Sequence, residues 1–177
     1  IMHNNITLRK ITKKDLDAYF EWINDKSLVE FNSQFFPVSK KKHAAWFKLL
    51  SVKNDIETFS IVKGKEDLIG SCSLRNLDFI NKTGELQIRI GNKAHLNKGY
   101  GTQAIHLLVE YGFLNILLNK IYLHVFDDNI RAIKAYENCK FKKEKLIRNY
   151  TIIDRKKKNA YLMSIIKSQL TGICENE

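Results

Sequence analysis

The stretch that most limits what this chain can become runs from Glu85 to Phe113. From Glu85 to Ile90, Leu86, Ile88 and Ile90 alternate with Glu85, Gln87 and Arg89, the period-two pattern of a strand with two unlike faces. After Gly101 the apolar spacing changes to three and four, through Ile105, Leu108, Val109 and Gly112, which predicts a helix over 101–116. Between strand and helix stands Leu96-Asn97-Lys98-Gly99-Tyr100-Gly101-Thr102. Its two glycines allow backbone angles and close approaches that a Cβ forbids, and the first-turn amides of the helix have no acceptor of their own. Such a corner suits a phosphate, and Lys98 adds positive charge to it. A Gly-x-Gly pair equally marks an ordinary turn. The chain has neither the phosphate loop ending in Gly-Lys-Ser or Gly-Lys-Thr nor the third glycine of a dinucleotide fingerprint, so neither standard nucleotide motif applies.

The next two segments of the chain narrow the choice. Lys120 to Phe126 predicts a second strand, and Asp127-Asp-Asn-Ile-Arg-Ala-Ile-Lys-Ala-Tyr-Glu-Asn-Cys-Lys-Phe141 a helix over 131–138. The succession of strand, Asn-Lys-Gly-Tyr-Gly-Thr loop, helix, strand and Asn-x-x-Ala-x-x-x-Tyr-Glu resembles the GNAT superfamily of acetyl-CoA-dependent N-acetyltransferases. Within it, the chain is most similar to the branch of ribosomal-protein N-terminal, spermidine and nucleotide-amino-sugar acetyltransferases. The resemblance spans 6–166 and is strongest over 84–141. It departs at Leu96, where Gln or Arg is usual, and at Lys140, where a glycine is usual just past the helix.

The resemblance implies a single domain of mixed α/β class, with a mostly antiparallel sheet of about seven strands and helices on both faces. It implies acetyl-CoA as donor. Ile88, Arg89 and Ile90 would offer strand amides to the pantetheine arm, Leu96, Asn97, Lys98, Gly99, Tyr100, Gly101 and Thr102 would hold the pyrophosphate, and Asn129 with Ala132 would border the arm. Asn129 would equally serve as a helix cap. Tyr136 would be the general acid, since a phenol keeps its proton at neutral pH and can give it to a departing thiolate; read from the residues alone, it packs with Ala132 and Ile133 on a buried helix face. Glu85 is the candidate base, directly or through a water, and is also readable as an edge charge or a partner of Arg89. His95, His106 and His124 are weaker candidates, because nothing in their spacing pairs them with carboxylates. No metal is expected.

At 177 residues the chain is most simply one domain. Thirty Lys plus Arg against 19 Asp plus Glu give a net charge of +11. A basic surface favours polyanions: nucleic acid, the phosphates of coenzyme A, or an acceptor carrying a diphosphate. A lysine-rich composition without functional meaning explains it equally. Cys72, Cys139 and Cys174 are widely spaced and odd in number, so reduced thiols are expected rather than a disulfide framework or zinc site. No run is long and apolar enough to span a membrane, and Ile1 to Asn5 lacks the apolar region of a signal peptide, which makes the cytoplasm the expected compartment. The last residues are expected to form a frayed tail.

The remaining elements bear on the acceptor. Thr7 to Ile11 is a strand, Thr12 to Asp15 resembles a capping box, and Leu16, Tyr19, Phe20 and Ile23 predict a helix to about Asn24. Asp25 to Pro37 has no clear period; its Phe31, Phe35 and Phe36 fold under as a satellite core or form a wall of the acceptor pocket. A second helix begins at Pro37 and Ser39, packed by Ala44, Ala45, Phe47, Leu49 and Leu50. Its His43-x-x-Trp46-Phe47 resembles the amino-sugar members. Two strands joined near Gly64, and a pair closing around Asp154-Arg155, complete the order. Because 28–42 holds Glu30 against Lys40, Lys41 and Lys42, a nucleotide-linked amino sugar stands slightly ahead of a polyamine, with a protein N-terminus still open. The rival of another class is a binder without catalysis, either a coenzyme sensor or a basic nucleic-acid module; Tyr122 and Phe126 lie in apolar runs rather than on an exposed stacking face, which speaks against the second. Oligomeric state is left open.

Overall fold

The computed structural model describes residues 5–168; Cys174 and the predicted tail lie outside them. Seven strands, β1 (Ile6–Lys10), β2 (Glu57–Lys63), β3 (Asp67–Asp78), β4 (Thr83–Ile90), β5 (Lys120–Phe126), β6 (Lys142–Ile153) and β7 (Lys156–Ile166), form one sheet in the order β1-β2-β3-β4-β5-β7-β6. Every neighbouring pair is antiparallel except β4 with β5. Among the described residues five α-helices accompany the sheet: α1 (Leu16–Ile23), α2 (Lys26–Val29), α3 (Lys40–Leu50), α4 (Tyr100–Leu114) and α5 (Ile130–Asn138). This is the mixed architecture that the sequence predicts.

Strand parity decides what faces what. Phe59, Cys72, Leu74 and Leu86 turn to the side where α4 lies, and join Ala104, Ile105, Leu108 and Phe113 in the main core. Phe59 meets the α4 ring of Tyr111 edge-on, with centroids 4.9 Å apart. The alternate residues face α1. There Ser60 is fully buried, shares a hydrogen bond with the Tyr19 hydroxyl at 2.8 Å and donates to Asp15 at 2.8 Å. Asp15 also accepts both Arg9 nitrogens at 2.7 Å and the Thr12 amide at 2.9 Å, so the predicted capping box is present, with its Asp15 end buried. Burial pushes the Asp15 carboxyl up, but Arg9, Thr12 and Ser60 outweigh it and bring the group down to about 2.

Three local expectations are corrected. In α3, Ala44, Ala45 and Leu49 are exposed, and the inward face is His43, Trp46, Phe47 and Leu50. That choice satisfies the buried His43 ring, which bonds the Leu16 carbonyl at 3.0 Å and stacks on Trp46. The segment 25–37 contains a four-residue helix, α2, begun by Asp25 accepting the Ser27 amide. Its phenylalanines form no satellite core: Phe36 is 71% exposed and Phe31 49%, the latter under the Arg131 guanidinium.

Candidate active site

The site arises from an interruption in the sheet. Strands β4 and β5 pair only over Thr83–Glu85 and Lys120–Tyr122. Beyond that, β4 continues to Ile90 on β3, and β5 continues to Phe126 on β7. The inner edges from Leu86 to Ile90 and from Leu123 to Phe126 are left without each other. Unpaired strand edges inside a protein need another partner, and an extended ligand bearing amides can supply one. Ile88, Arg89 and Ile90, the residues expected to meet a pantetheine arm, lie on this open edge.

At the end of β4 the chain turns through Leu96 and Asn97, whose φ is +61°, to Gly99 at +79°. Gly99 is the N-cap of α4, and a Cβ there would strain the left-handed backbone. Gly101 is open: a Cβ on it would meet only Ile90, at 3.9 Å. Gln103 is the first α4 amide with a backbone acceptor, the Gly99 carbonyl at 3.1 Å. The amides of Tyr100, Gly101 and Thr102 have none among the described residues. Asn97, Lys98 and Gly99 are exposed beside them. The loop therefore fits a diphosphate, by bare backbone rather than by side chains. A feature the sequence did not signal is Arg131, whose guanidinium donates to Asn97 at 3.4 Å and brings a second cation to the loop.

Helix α5 delivers the phenol. Asn129 caps it, accepting the Ala132 amide at 3.3 Å, and donates to the Phe31 carbonyl at 3.5 Å. The other end is a Schellman closure: Phe141 N donates to Tyr136 O at 3.0 Å and Lys140 N to Glu137 O at 2.9 Å, with Lys140 at φ +69°. Tyr136 is thus held by its own carbonyl and by Phe141, whose ring lies 5.9 Å from its own. It is 8% exposed, and its hydroxyl has no hydrogen bond among the described residues. Burial pushes the phenol above its usual range, so it stays protonated.

Tyr136 lines a cavity of about 710 Å³ that lies along the α1 side of the sheet and reaches through the gap to Cys72, Leu86 and Ile88. Tyr19, Trp22, His43 and Trp46 make one wall; His124, Phe126 and Tyr150 make the other. Trp22 lies flat against Gly91, where a Cβ would fall 2.0 Å from the indole. Glu85 stands in the floor, 5% exposed. It accepts Arg75 Nε at 3.0 Å, Asn76 Nδ2 at 2.8 Å and bonds His124 Nδ1 at 3.0 Å. Burial raises its carboxyl, but Arg75 and His124 outweigh that and hold it below the ordinary carboxylate range.

These contacts revise the histidine and glutamate expectations. His124 is paired with a carboxylate after all, 39 residues away in sequence, and His95 bonds Asp67 at 3.1 Å. Glu85 is the partner of Arg75, not of Arg89. From 28–42, the cavity takes Asn32, Ser33, Gln34 and Val38; Glu30, the phenylalanines and Lys40 to Lys42 are not in its lining. Gln34 is fixed by a double hydrogen bond to Asp154 at the tip of the β6–β7 hairpin, at 3.1 and 2.8 Å. No cluster of potential metal ligands occurs among the described residues.

A split parallel strand pair with a bare helix N-terminus at one end of the gap suits a long ligand that carries amides and ends in a diphosphate. Residues 5–142 match the family model of the acetyltransferase (GNAT) domain, and the chain belongs to that family. It is an acetyl-CoA-dependent N-acetyltransferase. The chain is 29% identical over 171 residues to an uncharacterized N-acetyltransferase of Bacillus licheniformis, covering 94% of this chain and 96% of that one. It is 26% identical over 168 residues to the spermidine N(1)-acetyltransferase of Vibrio cholerae, covering 95% and 96%. The crystal structure of the Vibrio cholerae spermidine N-acetyltransferase in complex with CoA and spermine superposes with a TM-score of 0.90 at 25% identity, covering 96% and 99% of the two chains.

Proposed function

We propose that the chain acetylates a primary amine carried by a small molecule that is not a polycation, with a nucleotide-linked amino sugar ahead of spermidine. The supporting observation is the charge lining the cavity, where Glu85 is the single carboxylate, already bound by Arg75 and His124, against the two guanidiniums of Arg75 and Arg89. A polyamine needs spare carboxylates, and this cavity has none to give. The aromatic walls suit the flat faces of a sugar or base. Acetyl-CoA supplies the activated acetyl group. Ile88 to Ile90 and the loop from Leu96 to Thr102, with Asn129 and Ala132, position it. Tyr136 holds a proton for the leaving thiolate, and Glu85, through His124 or a water, takes the proton of the attacking amine. Buried free thiols at Cys72 and Cys139 suit a reducing compartment such as the cytoplasm.

Spermidine stays the second reading, favoured by the Vibrio cholerae relative; a protein N-terminus is the third. A thiol-release screen with acetyl-CoA against amino-sugar nucleotides, polyamines and peptides decides among them. Turnover of spermidine above every sugar nucleotide would reverse the order proposed.

A further inference from the structure

We propose that Arg89 anchors an anionic group of the acceptor, a carboxylate or a phosphate, and so makes the enzyme selective for amines that carry one. The inference rests on the cavity being the acceptor's chamber, and it assigns the group that reads the acceptor there.

Three cross-strand pairs line the chamber floor: Arg75 opposite Glu85, Ser73 opposite Gln87, and Ser71 opposite Arg89. The first pair is answered within the protein, by the 3.0 Å bond between Arg75 and Glu85. The last is not. Arg89 Nε is buried with no hydrogen-bond partner, and no carboxylate lies against the guanidinium among the described residues. The other guanidiniums that reach inward among the described residues are answered: Arg9 has both Asp15 oxygens, and Arg75 has Glu85. On the same floor Thr58 Oγ1 is also buried without a partner. Arg89 is half-buried, and a guanidinium whose Nε is cut off from water with no counter-charge is costly; an incoming anion relieves the cost by a charge-assisted, bidentate contact.

The diphosphate of the coenzyme is not that anion. Arg89 shares the α1 face with Glu85 and Gln87, whereas the loop at Gly99 and Gly101 is reached from the opposite face, where Ile90 lies 3.9 Å from the Gly101 position. Along the strand, Arg89 stands about 13 Å from Glu85, by the ordinary rise per residue. The anion therefore docks at the far end of the chamber from Glu85 and His124, several bonds from the amine. A polycation would meet Arg89 with the wrong sign.

The test compares matched amines at saturating acetyl-CoA: glucosamine with glucosamine 6-phosphate, and hexylamine with 6-aminohexanoate. Expected is a kcat/KM at least tenfold higher for the anionic member of one pair, which also identifies phosphate or carboxylate. Arg89→Gln should abolish the difference by raising KM for the anionic amine at least tenfold more than for the neutral one, and Arg89→Lys should restore part of it. Equal use of both members by the wild type, or an equal penalty on both in Arg89→Gln, overturns the proposal. A melting series separates this from failure of the acceptor assignment. With CoA saturating, so that the α4 loop is filled, glucosamine 6-phosphate and inorganic pyrophosphate should raise the melting temperature of the wild type but not of Arg89→Gln. That result sustains the anion site even if no amine is turned over, and identical shifts in both proteins overturn it. The CoA-induced shift of the variant itself shows that it is folded.

Discussion

Tyr136 and Asp15 show how much single side chains depend on what surrounds them. Tyr136 reaches the cavity with its hydroxyl uncommitted, because the Schellman closure binds its carbonyl and Phe141 braces its ring. Tyr136→Phe keeps that brace and removes only the proton. We expect kcat to fall by about 10² or more, the usual scale for a lost general acid, with acetyl-CoA affinity unchanged within about twofold; stopped-flow binding and steady-state thiol release measure the two. Asp15 carries a different prediction. Its folded pKa of about 2 lies below the ordinary 3.8, so its ionised form stabilises the fold above about pH 4, and that contribution disappears as pH falls toward 2. The loss amounts to about 2 kcal/mol. Urea titrations at pH 6 and pH 2.5 should show it in the wild type, and Asp15→Asn, less stable at pH 6, should lose less over the same interval.

Among the elements, α5 departs most visibly from its ideal sequence. Its C′ position is left-handed, which glycine adopts freely and lysine does not, yet Lys140 occupies it at φ +69°. Lys140→Gly should relieve about 1 kcal/mol and raise the melting temperature by about 2–4 °C. Retained activity in that variant would show that the closure, and not the lysine, positions Tyr136. The elements also mark what is legible in the residues alone. The β4 alternation, the glycine loop and the change to helical spacing in α4 are local signals, and the structure agrees with them to within two residues. The capping box at Thr12 and the turn at Asp154-Arg155 are equally visible, because each is written in three or four adjacent residues. Contacts between distant strands are not. His124 meets Glu85 only because β5 lies parallel to β4, and Arg75 meets it only through the β3 register. In 25–37 the aperiodic residues define no face, and the phenylalanines that stand out among them are mostly turned away from the cavity.

For the whole molecule, the sheet consists of two parts, β1 to β4 and β5 to β7, joined by a short parallel pairing. One hydrophobic core beneath α4 joins the two parts, with Leu74 and Leu86 on one side and Ile121, Leu123 and Met163 on the other, so the strands diverge above a common base. Phe126 is buried, as its apolar run predicts, and so offers no stacking face on β5. Acetyl-CoA binding to the folded state alone should stabilise it by about 2.7 kcal/mol at a hundredfold excess over Kd. Differential scanning fluorimetry should register that as a rise of several degrees, absent with adenine alone.

The brief pairing of β4 with β5 has a mechanical corollary. Three rungs and a shared core hold the two parts together at one end, and an acetyl donor seated as proposed would be the slat that completes the panel at the other. Amide exchange along 86–90 and 123–126 should therefore slow sharply once the donor is seated, so that the enzyme becomes fully rigid only when it is ready to react.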